Sequence, residues 1–115
     1  MAAPLTCQIL TDPVVIVWDN GATFDGELVF TMNATEPRLK NSAIALKIPV
    51  ITRIPIVNGL LDTDTRIFYG SEINPPGRLY DVTLTNPNIV TVTVATSLLL
   101  NTPTNTLPIA DVVIP

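Results

Sequence analysis

Histidine is absent from this 115-residue chain, cysteine occurs once, and only 14% of the residues are charged. Without histidine no side chain titrates near neutral pH at its ordinary pKa. That excludes Ser-His-Asp and Cys-His nucleophile systems and removes the commonest zinc ligand. A lone Cys7 cannot close an internal disulfide. Its sequence neighbours are not basic, so nothing local lowers its pKa, and it reads as a small buried apolar residue. Aromatic residues make up 5% of the chain, too few for the row of sugar platforms that lines a glycosidase cleft. A non-enzymatic protein with no cofactor is therefore expected. The six basic residues (Arg38, Lys40, Lys47, Arg53, Arg66 and Arg78) are dispersed, and the net charge is −4. Phosphate neutralisation dominates nucleic-acid affinity, so a nucleic-acid partner is not expected. No apolar run approaches the ~20 residues of a membrane span. Residues 1–10 have neither a basic start nor a long apolar stretch, so no secretory signal and no membrane partner are expected.

What is present is apolar and proline-rich: 47% hydrophobic residues and 11 prolines, with a mean hydropathy of +0.44. Such a chain is too hydrophobic for disorder, and its length suits one domain, residues 1–115, with a single core. Period-two alternation dominates, and helical periodicity is nearly absent. In Tyr80-Asp81-Val82-Thr83-Leu84-Thr85, the residues Tyr80, Val82 and Leu84 face inward. Asn86-Pro87-Asn88 suits a reversal, and residues 89–95 alternate again, so the pair reads as a β-hairpin. Residues 27–32 form another strand, with Leu28, Phe30 and Met32 on one face. The continuous β-branched run Val14-Val15-Ile16-Val17-Trp18 reads as a strand covered on both faces. Residues 43–48 alternate as well. Pro49 and Pro55 break the pattern, and a proline cannot donate to a ladder, so residues 51–57 belong on a sheet edge or carry bulges. Asn58-Gly59 is a turn, residues 65–69 a short strand, and Asn74-Pro75-Pro76-Gly77 a corner. Residues 33–40, the likeliest helical piece by pattern, read as a loop. The sum is an all-β fold, an immunoglobulin-like antiparallel β-sandwich of seven to eight short strands. Residues 98–115 follow it as an irregular Pro/Thr/Asn-rich C-terminal arm.

Few residues carry chemistry. Asp62 and Asp64, with Glu72, have the spacing to frame a calcium or carboxylate site. The plainer reading makes residues 61–65 a solvated loop after the turn. Asp19-Asn20-Gly21 with Asp25 resembles part of a calcium loop but lacks the EF-hand register. Trp18 is either a core plug or an exposed platform, and a carbohydrate-binding module would use Trp18 and Tyr69 as platforms with Asp62 and Asp64 as hydroxyl acceptors. Asn33-Ala34-Thr35 matches the glycosylation pattern by chance. The uncharged surface is more informative, because large exposed apolar patches mark interaction sites. A contact with another chain is expected at Ile51, Ile54 and Ile56 on the proline-broken edge. The arm would add Leu98, Leu99, Leu107, Ile109, Val112 and Ile114.

Two stretches carry a resemblance. Residues 20–32, with Gly26-Glu27-Leu28-Val29-Phe30-Thr31-Met32, look like the strand that opens small β-sandwich modules of tailed-phage fibre proteins. Asn58-Gly59-Leu60 and then residues 73–83, with Asn74, Pro76, Gly77, Tyr80, Val82 and Thr83, resemble the turn, corner and strand of the same modules. The likeness spans about residues 20–85. The chain departs from it at Pro49 and Pro55 and lacks the Gly-rich closing strand. The resemblance implies a virion structural protein, a tail-fibre or tail-associated module, with a head decoration (cement) protein as the alternative. It implies a homo-oligomer, a trimer for preference, bound to other virion proteins. A host-surface glycan is the ligand only under the carbohydrate-binding reading.

Overall fold

Leu28, Phe30 and Met32 share one face of a seven-residue strand because successive side chains of an extended chain point opposite ways. All three are buried in the computed structural model of the chain. The structure describes residues 5–12, 14–18, 20–34, 36–39, 48–74, 78–87 and 92–108. Among these run β1 (Thr6–Asp12), β2 (Gly26–Met32), β3 (Arg38–Leu39), β4 (Ile51–Val57), β5 (Leu60–Leu61), β6 (Arg66–Phe68), β7 (Ile73–Asn74), β8 (Tyr80–Thr85), β9 (Val92–Leu98) and β10 (Thr104–Pro108). The protein is nearly all β, with one 3-10 turn at Gly70–Glu72 among the described residues. Ten strands stand among the described residues where seven or eight were expected, and β3, β5 and β7 are two-residue ladders.

The larger sheet, in the order β5-β4-β2-β8-β9, is antiparallel throughout. The smaller sheet is β10-β1-β6, with β1 antiparallel to β6 and parallel to β10. A two-strand ladder joins β3 and β7. Cys7 and Ile9 of β1, Ile67 of β6 and Leu107 of β10 form one core with Leu28, Phe30, Met32, Ile54, Ile56, Tyr80, Val82 and Leu84 of the larger sheet. Burying side chains of this size is worth about 1.5–3 kcal/mol each. A one-residue slip of β2 would expose three of them and cost roughly the whole stability of a small domain. That decides the register.

Tyr80 ties the two sheets together. Its O–H donates to the Phe68 carbonyl at 2.8 Å, and its ring meets Phe30 edge-on at 6.2 Å. Burial holds its phenol far above the ordinary range, with a smaller push from Cys7. Burial also raises the Cys7 thiol, against opposing contributions from Arg66 and a backbone bond.

Of the hairpin expected at residues 80–95, β8 pairs antiparallel with β9, Val82 opposite Ala95 and Leu84 opposite Val92, while residues 88–91 lie outside the described residues. Its register shifts twice. Near the end of β9, Ser97 adopts a positive φ of 52° and donates its N–H to Asp81 Oδ1 at 3.0 Å. Pro55 sits in β4, which only the two-residue β5 covers on its outer side. The Pro55 carbonyl accepts from Asp62 N–H at 3.0 Å, on the side away from β2. N–H and C=O of one strand residue point the same way, so the missing donor falls on the β5 side, just beyond the last β4–β5 pair.

Two expectations are corrected. The run 14–18 is not a strand buried on both faces. Only Ile16 is buried, because the run is held at isolated bridges, Val15 to Leu60 and Val17 to Thr23, and the two valines stay exposed. The arm expected at 98–115 is not irregular throughout, since residues 104–108 form β10 and run along β1. Within the expected loop at 33–40, Arg38 and Leu39 form β3. The expected strand at 43–48 and the corner at 75–77 lie largely or wholly outside the described residues, as do Thr35 and Asp19.

Candidate interaction surface

The tightest local structure gathers three distant backbones. Asn58 and Gly59 have φ values of 52° and 78°, the two positive angles that a two-residue hairpin turn between β4 and β5 requires. A Cβ on Gly59 would sit 2.6 Å from the Ile16 carbonyl oxygen and 2.8 Å from Val15 Cγ1. Gly59 is what lets the 14–18 run approach. Ile16 N–H donates to Gly59 O at 2.8 Å, Gly59 N–H to Phe24 O at 2.8 Å, and Phe24 N–H to Ile16 O at 3.0 Å. Asp25 Oδ1 accepts Asn58 N–H at 2.7 Å and fixes the turn from outside.

This knot buries Ile16 and leaves its neighbours in solvent. Val14 is 70% exposed, Val57 61%, Leu60 52%, and Val15 and Val17 are exposed as well. Val57 and Leu60 are cross-strand partners, and Leu60 pairs in turn with Val15. Five exposed aliphatic side chains thus share one corner. Beside them opens a groove of about 470 Å³, lined by Leu10, Thr11, Asp12, Val14, Leu60, Leu61, Thr63 and Thr106. Its walls come from both sheets. Trp18, partly buried, packs on Phe24 with ring centroids 5.2 Å apart.

The residues expected at a contact fare unevenly. Ile54 and Ile56 are buried, because they occupy the inward positions of β4 opposite Leu28 and Gly26, and Leu107 is buried from β10. No partner reaches these three, which corrects the expectation. Ile51 and Leu99 are exposed, and Leu98 is partly buried against the core. Ile109, Val112 and Ile114 lie outside the described residues. The exposed corner at Val14, Val15, Val17, Val57 and Leu60 was missed. Its signal was available: once Ile54 and Ile56 turn inward, Val57 must turn outward, and the Asn58-Gly59 turn sets Leu60 opposite it.

The ligand platform does not assemble. Tyr69 is only 7% exposed, since its N–H is drawn to Leu5 O at 3.1 Å beside the start of β1. Its ring offers no sugar face, which corrects that expectation. Asp62 spends its carboxylate locally, accepting Asp64 N–H at 3.1 Å and the Thr65 hydroxyl at 2.9 Å. That is an Asx-type turn. Among the described residues no three His, Cys, Asp or Glu side chains are grouped to hold a metal ion, and no helix is long and apolar enough to cross a membrane. Compared with known proteins, the chain matches no protein-family model, no curated protein and no solved structure.

Proposed function

We propose that this chain is a non-enzymatic structural subunit of a phage particle, a tail-fibre or tail-associated module that works by association with copies of itself and with other virion proteins. In this reading the two sheets form an immunoglobulin-like sandwich whose corner is a contact surface. The observation that carries it is the cluster of Val14, Val15, Val17, Val57 and Leu60, exposed together beside an apolar groove. Uncharged side chains held out by a rigid turn gain free energy when a partner removes them from water. The link to phage modules rests on the resemblance over residues 20–85. A head decoration protein fits the same corner. The carbohydrate-binding alternative loses its platform pair with the burial of Tyr69.

The test is the state of the purified chain in solution. Multi-angle light scattering at micromolar concentration should give a mass above that of one chain. The double variant Val14→Lys with Leu60→Lys should shift the population toward smaller species while melting at a similar temperature. A wild-type chain that stays single overturns the reading.

A further inference from the structure

The pair Asn-Gly occurs twice in the chain, at Asn20-Gly21 and at Asn58-Gly59. Asparagine followed by glycine is the least hindered place for a backbone nitrogen to attack a side-chain amide, because glycine has no Cβ in the way. The nitrogen attacks only after losing its proton, so the reaction needs the same opened, water-exposed N–H that amide exchange needs. The fold treats the two pairs differently. Asn20, Gly21 and Ala22 are all exposed, and a Cβ on Gly21 would meet nothing within 4 Å. Gly21 N–H is held in a surface turn, donating to Trp18 O at 2.9 Å. Ala22 N–H donates to Asn20 Oδ1 at 3.0 Å. That bond folds the carboxamide back toward the Gly21 nitrogen, and it stabilises the negative charge that gathers on Oδ1 as the nitrogen adds. Gly59 is buried instead. Its N–H donates to Phe24 O at 2.8 Å and its O accepts Ile16 N–H at 2.8 Å, while Asp25 Oδ1 holds Asn58 N–H at 2.7 Å. Freeing the Gly59 nitrogen therefore means parting three backbones.

We propose that Asn20 is a site of spontaneous deamidation and that the knot around Gly59 keeps Asn58 intact. The Gly21 nitrogen, its proton lost to solvent, forms a bond to Asn20 Cγ. The Cγ–Nδ2 bond breaks, and Nδ2 takes up a proton and leaves as ammonia. Water then opens the five-membered imide. Addition at Cγ leaves aspartate at position 20. Addition at the former backbone carbonyl leaves isoaspartate, with the main chain running through the side-chain methylene. The sum is a hydrolysis, amide plus water giving acid plus ammonia, and nothing is oxidised or reduced. Either product carries a carboxylate where a neutral amide stood, in the turn that follows the exposed Val17. The isoaspartate form also lengthens that turn, in which Trp18 N–H donates to Ala22 O and Trp18 O accepts Gly21 N–H. The result is a one-way, time-dependent gain of charge beside the apolar corner, whether or not the chain associates.

Peptide mapping by mass spectrometry tests it, on the native chain incubated dilute at mildly alkaline pH and on the same chain unfolded in guanidinium chloride. Native Asn20 should convert at least roughly tenfold faster than native Asn58, and the two rates should converge in the denaturant. Acidic species that accumulate on isoelectric focusing should vanish in Asn20→Gln, whose longer side chain closes the ring far more slowly, and persist in Asn58→Gln. An Asn20 that stays intact in the native chain overturns the site, and so do acidic species that persist in Asn20→Gln. Asn58 converting as fast as Asn20 in the native chain overturns the protection by the knot.

Discussion

Replacing Tyr80 by phenylalanine removes one hydroxyl and keeps the ring that meets Phe30 edge-on. The Phe68 carbonyl loses the donor that reaches it at 2.8 Å. A net hydrogen bond of this kind contributes about 1 kcal/mol, so at pH 7 the variant should melt about 4 °C lower. At high pH the order should reverse. Burial raises the folded-state pKa of Tyr80 above its unfolded value, so its contribution is fully present below the unfolded pKa of about 10. It is lost as pH rises from there through the folded pKa. In that window the unfolded chain has released a proton that the folded chain keeps, and stability falls by up to about 1.4 kcal/mol per pH unit. By pH 11 the wild type should have lost roughly 1.4 kcal/mol through this group, and Tyr80→Phe none of it. The deficit of about 1 kcal/mol should therefore vanish slightly below pH 11. The Cys7 thiol, raised by burial, adds its own fall above its unfolded pKa in both proteins. Urea titrations followed by circular dichroism at pH 7, 9 and 11 give the two curves. A difference that stays constant across this range would refute the buried, hydrogen-bonded phenol.

Gly59→Ala should cost about 2–3 kcal/mol by thermal unfolding, from the positive φ and the collision with the Ile16 carbonyl. A loss below about 0.5 kcal/mol would mean that the 14–18 run does not lie against the turn. Arg53→Ala should change stability by less than about 0.5 kcal/mol, because its 3.4 Å pair with Glu27 is half exposed. A loss above 1 kcal/mol would show that Arg53 also shields Val29, its cross-strand neighbour.

Where one face of a strand meets the core, alternation reads directly. Leu28, Phe30 and Met32, and Tyr80, Val82 and Leu84, follow from the side-chain period alone. The missing donor of Pro55 points to an edge or a bulge, whereas β4 lies between β2 and β5 and Pro55 sits just beyond the last β4–β5 pair. The run 14–18 misleads because β-branched residues fit a strand covered on one face as well as one covered on two. Which applies depends on a neighbour brought by the Asn58-Gly59 turn some forty residues on. The pairing of β10 with β1 is hidden for a similar reason. It joins residues almost a hundred positions apart in parallel, and nothing local in Thr104-Asn105-Thr106-Leu107-Pro108 announces the partner. Tyr69 looked available because a short strand was expected around it, and only its bond to Leu5 reveals that it turns inward. Asp62 and Asp64 are the opposite case, since a close Asp-x-Asp-Thr after a turn already suggests a carboxylate spent on its own backbone.

Sedimentation equilibrium of the purified wild-type chain, across a concentration range reaching the micromolar, bears on the exposed corner most directly. Fitted masses should climb above 12.4 kDa as concentration rises, and the substitutions at Val14 and Leu60 should push that climb to higher concentration. A mass of 12.4 kDa at every concentration would contradict self-assembly through this surface.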